Sequence, residues 1–279
     1  MNIRDVQIEN IILTHSSRGM EALRKGLSGG YCKRVAHLIL KKKGVVLIGT
    51  GFPVGSSFET DGPIGAISLY KVLEYLNNRP IFVCAPPISR ILSQDFNTYE
   101  IPIRTWKESK SLVETALASL KPSLVISVER PGITGNGRYY NMRKEDITDY
   151  AAKYDLFLDL CSCPTIAFGD GGNEIGMGNL AREISRMSII PSITKCDELV
   201  IATVSNWGVY GVIAAMSLEL GKDLFKLFDP AKIANHLLDN GSVDGLTLRA
   251  ENSEDGFPIS VGLSIISRLR QLLPENLKK

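Results

Sequence analysis

The sequence has no long apolar run and no excess of charge of one sign. None of its stretches approaches the roughly 18 consecutive apolar residues of a membrane-spanning helix, and residues 1–5 begin no secretory signal with an apolar core. Thirty-two basic residues against thirty acidic ones leave a net charge of +2, without the basic excess typical of nucleic-acid-binding proteins. We therefore expect a protein that binds neither membranes nor nucleic acid, and a small molecule is its expected ligand.

Histidine and cysteine, the usual zinc ligands, are scarce. The histidines His15, His37 and His236 fall in segments with helical spacing and are interpreted as packing or surface residues. Five cysteines, an odd number lying mostly in apolar segments, indicate reduced thiols and hence a cytoplasmic protein. The pair Cys161 and Cys163 is too closely spaced for the usual CxxC of zinc and redox sites, which favours a structural interpretation.

Nucleotide-binding glycine motifs are also missing. The stretch GDGGNEIGMG at residues 169–178 has neither the spacing of the dinucleotide fingerprint nor a following GK[ST]. It lies between a short apolar run at 166–168 and a helical pattern, which predicts a strand, a glycine turn and a helix start. Asp170, Asn173 and Glu174 would then lie at the carboxyl end of a strand, near a helix N-terminus that favours carboxylates. The alternative is that Asp170 only caps the helix and the glycines only shape the turn.

Short apolar runs alternate with helical patterns along the whole chain. This alternation predicts a doubly wound, mainly parallel sheet of about five or six strands flanked by helices, a Rossmann-like α/β fold. Residues 1–279 are expected to form one domain, with a helical lead-in over about 1–43 and a helical tail over about 223–279. The predicted strands are 45–48, 81–85, 101–103, 124–128, 166–168 and 198–202, and the main predicted helices are 64–77, 109–120, 149–160, 231–238 and 259–273.

Further acidic side chains follow the predicted strands. Glu59 and Asp61 end the long loop after the first strand, where Asp61 could alternatively cap a helix, and Glu129 directly follows the strand at 124–128. Right-handed crossovers place such loops at one edge of the sheet, where these carboxylates would converge. Converging carboxylates require a cation or arginine partners, and oxygen ligands favour Mn²⁺ or Mg²⁺, with Ca²⁺ a further candidate, over zinc. The predicted metal ligands are Glu59, Asp61, Glu129, Asp170 and Glu174.

Three arginines, Arg130, Arg138 and Arg143, lie in the loop after the strand at 124–128. Because a guanidinium pairs well with a carboxylate, this loop and Asn173 are expected to bind a small acidic substrate. Alternatively, Arg138 and Arg143 are solvated loop charges, or the arginines close the carboxylate cluster without a metal. The candidate catalytic acids and bases are Asp170, Glu174 and Glu129.

Five motifs occur in order along the chain: GTGFP at 49–53, ETDGP at 59–63, ERPG at 129–132, GRYYNMR at 137–143 and GDGGNEIGMG at 169–178. Together they resemble the C-terminal domain of D-glutamate cyclases, over about residues 30–220. The resemblance implies an α/β fold and a hydro-lyase that converts D-glutamate to 5-oxo-D-proline and water, assisted by a divalent metal.

Two other functions use the same groups. A divalent-metal-dependent hydrolase of a small acidic substrate needs similar ligands for its metal, and a non-catalytic sensor could bind a metal or an acidic metabolite. Apolar helical faces at both ends of the chain also predict a homo-oligomer.

Overall fold

The computed structural model describes residues 3–16 and 18–277. Its centre is a six-stranded sheet in which neighbouring strands run parallel, with helices on both faces. This confirms the predicted Rossmann-like α/β fold, and the chain adds two small antiparallel ribbons to it. The strands are β1 (Val45–Gly49), β2 (Pro53–Val54), β3 (Ser57–Phe58), β4 (Arg79–Cys84), β5 (Thr98–Glu100), β6 (Leu124–Val128), β7 (Thr165–Gly169), β8 (Glu198–Ile201), β9 (Ser253–Glu254) and β10 (Phe257–Pro258).

Helix limits follow from local capping chemistry. One long helix begins at a capping box, in which the Thr105 hydroxyl accepts from the Glu108 amide and the Glu108 carboxylate accepts from the Thr105 amide. Another is capped by Asp229, whose carboxylate accepts hydrogen bonds from the amides of Ala231 and Lys232. The α-helices are α1 (Ile3–Ile12), α2 (Met20–Leu23), α3 (Tyr31–Lys41), α4 (Pro63–Tyr75), α5 (Ile88–Leu92), α6 (Trp106–Leu120), α7 (Asp155–Leu160), α8 (Ala181–Ile184), α9 (Ser205–Leu220), α10 (Pro230–Asp239) and α11 (Ile259–Gln271).

The strand order of the large sheet is β5-β4-β1-β6-β7-β8. From the central strand β1 the chain moves outward through β4 and β5, then crosses back to β6 and continues in the opposite direction. Such a reversal opens a crevice at the carboxyl ends of the two central strands, where open α/β sheets bind their ligands. The loops that follow β1, β6, β7 and β8 therefore meet at this crevice.

Two hydrophobic cores lie on the two faces of the sheet. Along β1, Val46 and Ile48 belong to the core on one face and Leu47 to the core on the other, as the alternation of a strand requires. Helix α9 occupies the centre of the first face, where it contacts α1, α3, α4 and α11, whereas α6 and α7 pack together on the second. Because α9 is buried over most of its length, its N-terminus is held at the crevice.

Some predicted elements differ from the structure. The third strand is Thr98–Glu100 and not 101–103, because the amide of Ile101 still donates to the sheet but Pro102 has no N–H to continue the ladder. The helix predicted to begin at residue 149 begins at Asp155, since the preceding turns are closed by Lys153, whose ammonium donates to backbone carbonyls.

The tail predicted as helical also contains a β-ribbon. Strands β9 and β10 pair around a tight turn at Asp255 and Gly256, both of which have positive φ. Phe257 packs its ring against that of Trp207 at the start of α9, 5.2 Å between centroids. The ribbon therefore brings Glu254 and Asp255 to the carboxyl edge of the sheet.

Across residues 3–16 and 18–277, none of the helices combines the length and the hydrophobicity that crossing a bilayer requires.

Candidate functional site

A cavity of about 480 Å³ opens at the carboxyl edge of the sheet, a size typical of small-molecule sites. Its floor is formed by acidic side chains from three loops and from the ribbon. The five predicted metal ligands all belong to this floor, together with Asp255, which the sequence did not single out. These floor residues are Glu59, Asp61, Glu129, Asp170, Glu174 and Asp255, and the exposed Glu145 and Asp146 also line the cavity.

Three of these carboxylates form a buried triad. One oxygen each from Asp61, Glu129 and Asp170 lie within 4.8 Å of one another, and all three side chains are buried. Hard divalent cations bind carboxylate oxygens at about 2.0 to 2.6 Å, so a single ion between the three oxygens can reach them all. The triad could therefore hold a metal ion.

The N-terminus of α9 positions two members of the triad. The Asp61 carboxylate accepts from the amides of Ser205 and Asn206, both at 2.9 Å, and Asp170 accepts from the Ser205 amide at 3.2 Å. These amides have no partner within the helix, and the helix dipole favours the negative charges there. The helix that holds these carboxylates is thus α9, whereas the expected helix after residue 174 begins only as a short 3₁₀ turn at Met177.

Glu129 joins the triad through an unusual backbone conformation. Its φ of 46° lies in the left-handed region, which residues other than glycine and asparagine rarely adopt and which clusters at functional sites. Its carboxylate accepts a hydrogen bond from the Ser205 hydroxyl at 2.6 Å. Gly62 lies against it so closely that a Cβ at Gly62 would stand 2.6 Å from the Glu129 Cβ. The glycine of the ETDGP motif is therefore required by the glutamate of the ERPG motif.

Asn173 and Glu174 lie where the loops after β6 and β7 join. The Ile175 amide donates to the Arg130 carbonyl at 2.9 Å, and the Glu174 carboxylate accepts from the Gly172 amide at 2.7 Å. The Asn173 side-chain amide donates to the Tyr140 carbonyl, but its Oδ1 is buried without a hydrogen-bond partner among the described residues. A buried acceptor of this kind in a cavity wall fits a bound cation or a ligand donor.

Burial and mutual repulsion raise the pKa values of the site carboxyls. Burial raises the pKa of Asp61 to about 7, and the charge of Asp255 adds to the effect. Burial also raises the pKa of Asp255 to about 8, with Asp170 as the strongest charged contributor. The pKa values of Glu129 and Asp170 lie well above their usual range because of burial, although Arg18 opposes the effect at Asp170. The site therefore binds protons more tightly than exposed carboxyls do, and a bound cation would compete with those protons.

Arg18 and Asp255 are site residues that the sequence analysis missed. An Arg18 nitrogen donates to Asp170 at 3.0 Å, and its other terminal nitrogen pairs with Asp255. The Asp-Gly pair at 255 and 256 is a typical hairpin-turn signal that could have located the ribbon. Arg18 lies in a break between two helical patterns and carries no comparable signal.

A second layer of polar contacts supports the triad. The Asn206 Oδ1 accepts from the amides of Gly62 and Gly65, at 3.0 and 2.7 Å, and its Nδ2 donates to Glu254 at 2.8 Å. Glu254 also accepts from the indole nitrogen of Trp207 at 2.7 Å. Asn206 therefore links the start of α4, the start of α9 and the ribbon. Because Gly62 occupies the cap position of α4, Asp61 does not cap that helix.

The three predicted substrate-binding arginines occupy different places. Arg143 lines the cavity and donates to the Leu246 carbonyl at 2.6 Å. The buried guanidinium of Arg130 donates to the backbone carbonyls of Gly51 and Ala152, and Arg138 pairs with Asp146 at the surface. The structure thus brings Arg143 to the carboxylates, and it does not bring Arg130 or Arg138 to them.

A parallel α/β sheet with a buried acidic triad at its switch point defines an α/β protein with a candidate metal site in a cavity of small-molecule size. The chain belongs to the D-glutamate cyclase-like family, as its model for the C-terminal part matches residues 8–270. Human mitochondrial D-glutamate cyclase is 32% identical over 230 residues, which cover 71% of this chain and 37% of the human protein. The chain thus spans little more than a third of the length of that relative. The family model, in contrast, covers nearly all of the described residues.

Proposed function

We propose that this protein cyclises D-glutamate to 5-oxo-D-proline with loss of water, assisted by Mn²⁺ or Mg²⁺. Membership of the D-glutamate cyclase-like family supports the reaction. The observation that carries the proposal is the buried triad of Asp61, Glu129 and Asp170 in the floor of a cavity of small-molecule size.

The donor set of the site fits a hard divalent cation. Asp61, Glu129 and Asp170 offer oxygen ligands, and the unpartnered Oδ1 of Asn173 is a further oxygen in the same cavity. Ca²⁺ prefers about six to eight ligands, whereas Mg²⁺ is commonly held by a few carboxylates together with substrate and water. We therefore favour Mn²⁺ or Mg²⁺ over Ca²⁺. When bound, the cation would polarise the substrate γ-carboxyl group and make its carbon more electrophilic.

Ring closure requires proton transfer as well as polarisation. The substrate nitrogen bonds to the γ-carboxyl carbon, and an oxygen of that carboxyl leaves as water. The ammonium group must lose two protons and the leaving oxygen must gain two, so a nearby group has to accept and donate protons near neutral pH. Glu174 lines the cavity next to the triad, and burial raises its pKa. We assign this proton transfer to Glu174.

An acidic substrate also needs a positive partner above this acidic floor. Arg143 lines the cavity and is exposed, and its guanidinium retains donors beyond the one that contacts Leu246. Arg18, in contrast, is already paired with two carboxylates. We therefore assign the α-carboxylate of the substrate to Arg143.

The test is a stereoselective cyclisation assay. Chelator-treated protein would be incubated with D-glutamate or L-glutamate, with and without Mn²⁺ or Mg²⁺, and the lactam followed by chiral chromatography. We expect lactam from D-glutamate but not from L-glutamate, and only when the cation is present. The rate of lactam formation should fall at least about 100-fold in Asp170→Asn. Glu114→Gln, a change of an exposed carboxylate on α6, is the matched control and should retain full activity.

Other outcomes would identify a different function. Hydrolysis of a small acidic amide or phosphate ester without lactam formation would replace the cyclase with a metal-dependent hydrolase. Saturable binding of D-glutamate and metal without any turnover would identify a sensor.

A further inference from the structure

Three exposed apolar side chains lie at the mouth of the cavity, beside the exposed charged residues Arg143, Glu145 and Asp146. Tyr150, Leu246 and Leu248 expose 51%, 54% and 48% of their surfaces, and all three line the cavity. We call these three residues the apolar rim. Large exposed apolar side chains grouped at one opening mark a surface that a ligand covers.

The loop that carries the two leucines is held in a defined shape. The buried Asp244 carboxylate accepts from the amides of Leu246 and Thr247, at 2.9 and 2.8 Å, and also from the Gly256 amide and the Ser253 hydroxyl. Leu248 has a φ of 59°, a conformation that is unfavourable for a residue with a branched apolar side chain. The fold therefore holds an apolar side chain at the cavity mouth against both solvent exposure and backbone preference.

The apolar rim is joined directly to the polar wall of the cavity. Arg143 donates to the carbonyl of Leu246 at 2.6 Å, so the guanidinium assigned to the substrate α-carboxylate lies beside the rim. A ligand that contacts Arg143 and the carboxylate floor is thus adjacent to an apolar surface on its outer side.

Free glutamate carries no apolar group large enough to cover this surface. It has about ten non-hydrogen atoms and a polar group at each end, whereas cavities of this volume commonly hold larger, partly apolar ligands. A substituent on the reacting γ-carboxyl group would extend from the floor toward the mouth. An apolar substituent there would remove both its own surface and that of the rim from water.

We propose that the preferred substrate is a γ-D-glutamyl amide of an apolar amine, whose amine part binds the apolar rim. This inference rests on the proposed cyclisation and deepens it. The substrate nitrogen bonds to the γ-carbonyl carbon while the C–N bond of the side-chain amide breaks. Two protons pass from the substrate ammonium group to the leaving nitrogen, which departs as an alkylammonium ion, and the other product is 5-oxo-D-proline. The reaction needs no oxidant and consumes no water.

The experiment compares substrates that differ only at the leaving group. The metal-loaded protein would be given D-glutamate, γ-D-glutamyl methylamide and γ-D-glutamyl benzylamide, and both lactam and released amine would be measured. We expect kcat/KM for the benzylamide to exceed that for the methylamide at least about tenfold, because a few carbons in an apolar subsite give that discrimination.

Rim variants test whether that preference arises at the rim. Leu246→Ser combined with Leu248→Ser should bring the benzylamide-to-methylamide ratio close to one, and Tyr150→Ser should lower it separately. Leu112→Ser changes a leucine of similar exposure, 45%, on the distant helix α6, and it should leave the ratio unchanged.

Failure of this inference is distinguishable from failure of the proposed function. If D-glutamate is cyclised but the benzylamide is no better than the methylamide, or the rim variants keep the preference, the rim does not bind a leaving group and the cyclase stands. If the amides yield lactam and D-glutamate does not, the inference holds and the loss of water is overturned. Release of amine with open-chain glutamate, or no reaction of any substrate, would overturn both.

Discussion

At the scale of single residues, the site depends on two positions with positive φ that face each other. Glu129 has a φ of 46° and Gly62 a φ of 91°, and the Cβ of Glu129 occupies the space next to Gly62. The glutamate bears the backbone strain so that its carboxylate reaches the triad, and the glycine leaves room for it. A side chain at Gly62 must therefore displace Glu129.

We predict that Gly62→Ala lowers both stability and metal affinity. The free energy of unfolding should fall by about 2 to 4 kcal/mol, the sum of a positive-φ cost and an overpacking cost. The Kd for Mn²⁺ should rise at least about tenfold because Glu129 is a triad ligand. Urea unfolding and calorimetric titration measure the two effects.

Gly241→Ala is the matched control for this substitution. Gly241 has a φ of 90°, nearly that of Gly62, and a Cβ there would meet no atom within 4 Å. It should show the backbone cost of about 1 to 2 kcal/mol alone, with Mn²⁺ binding intact. Equal effects of the two substitutions would show that the contact with Glu129 is unimportant.

The residues of the site differ in how far the sequence could predict them. Glu59, Asp61, Glu129 and the 170–174 group follow strands, so the handedness of the crossovers alone places them at one edge. Arg18 is 152 residues from Asp170 along the chain, and no local pattern specifies a contact between such distant segments. Arg143 lines the cavity and Arg130 does not. This difference depends on side-chain rotamers and on the path of the loop, which the spacing of residues in the sequence does not determine.

At the scale of elements, Asn206 is the side chain that joins α4, α9 and the β9-β10 ribbon. Its carbonyl oxygen accepts two amides at the start of α4, and its amide nitrogen donates to the buried Glu254. Gly65 allows the close approach, since a Cβ there would stand 2.8 Å from the Asn206 Oδ1. The positions of three elements around the cavity therefore share one buried side chain.

We predict that Asn206→Ala destabilises the protein by about 2 to 6 kcal/mol. The substitution leaves the buried Gly65 amide and an acceptor of Glu254 without partners, and each costs about 1 to 3 kcal/mol. The Gly62 amide keeps its hydrogen bond to Asp61. Chemical denaturation measures the change. Asn240→Ala, which removes one hydrogen bond at the exposed end of α10, should cost no more than about 1 kcal/mol. A similar loss for both variants would contradict a joining role for Asn206.

Elements were predictable where burial dominates and less so where polar contacts decide. β1, β6 and β7 are continuous apolar runs because both faces of the sheet are covered. The edge strand Thr98–Glu100 is polar, so the pattern of apolar runs predicts the strand at 101–103 instead. The helix expected after the GDGG turn is delayed because Gly172 and Gly176 both have positive φ, which a helix does not accommodate.

At the scale of the whole molecule, a net charge of +2 conceals a strongly acidic interior. The cavity floor places Asp61, Glu129 and Asp170 within one small volume, and Asp255 and Glu254 lie close by. Composition could not reveal this segregation, because apart from Arg18 and Arg143 the basic residues that balance the charge lie outside the cavity. The free-energy cost of burying these carboxylates together should lower the stability of the metal-free protein.

The direction of that cost follows from the pKa values. Burial raises the pKa of Asp61 from its usual 3.8 to about 7, that of Glu254 from 4.5 to about 7 and that of Asp255 from 3.8 to about 8. Between the two values of each group, the folded protein binds more protons than the unfolded chain. The stability that these three groups contribute is therefore fully present below about pH 4, and it is lost as the pH rises toward 8.

We predict that the metal-free protein loses at least about 3 kcal/mol of unfolding free energy between pH 5 and pH 8, since each pKa unit corresponds to about 1.4 kcal/mol. Saturating Mn²⁺ should restore this stability most strongly at the higher pH, because the cation replaces the protons that the triad would otherwise retain. Urea unfolding of chelator-treated and Mn²⁺-loaded protein across this range measures both effects.

Asp61→Asn should flatten the pH dependence of the metal-free protein, whereas Glu114→Gln should leave it unchanged. Stability of the metal-free protein that stayed constant or rose with pH would show that these carboxyls are ionised in the fold, and the cluster would then need a permanent internal counter-charge in place of a divalent cation.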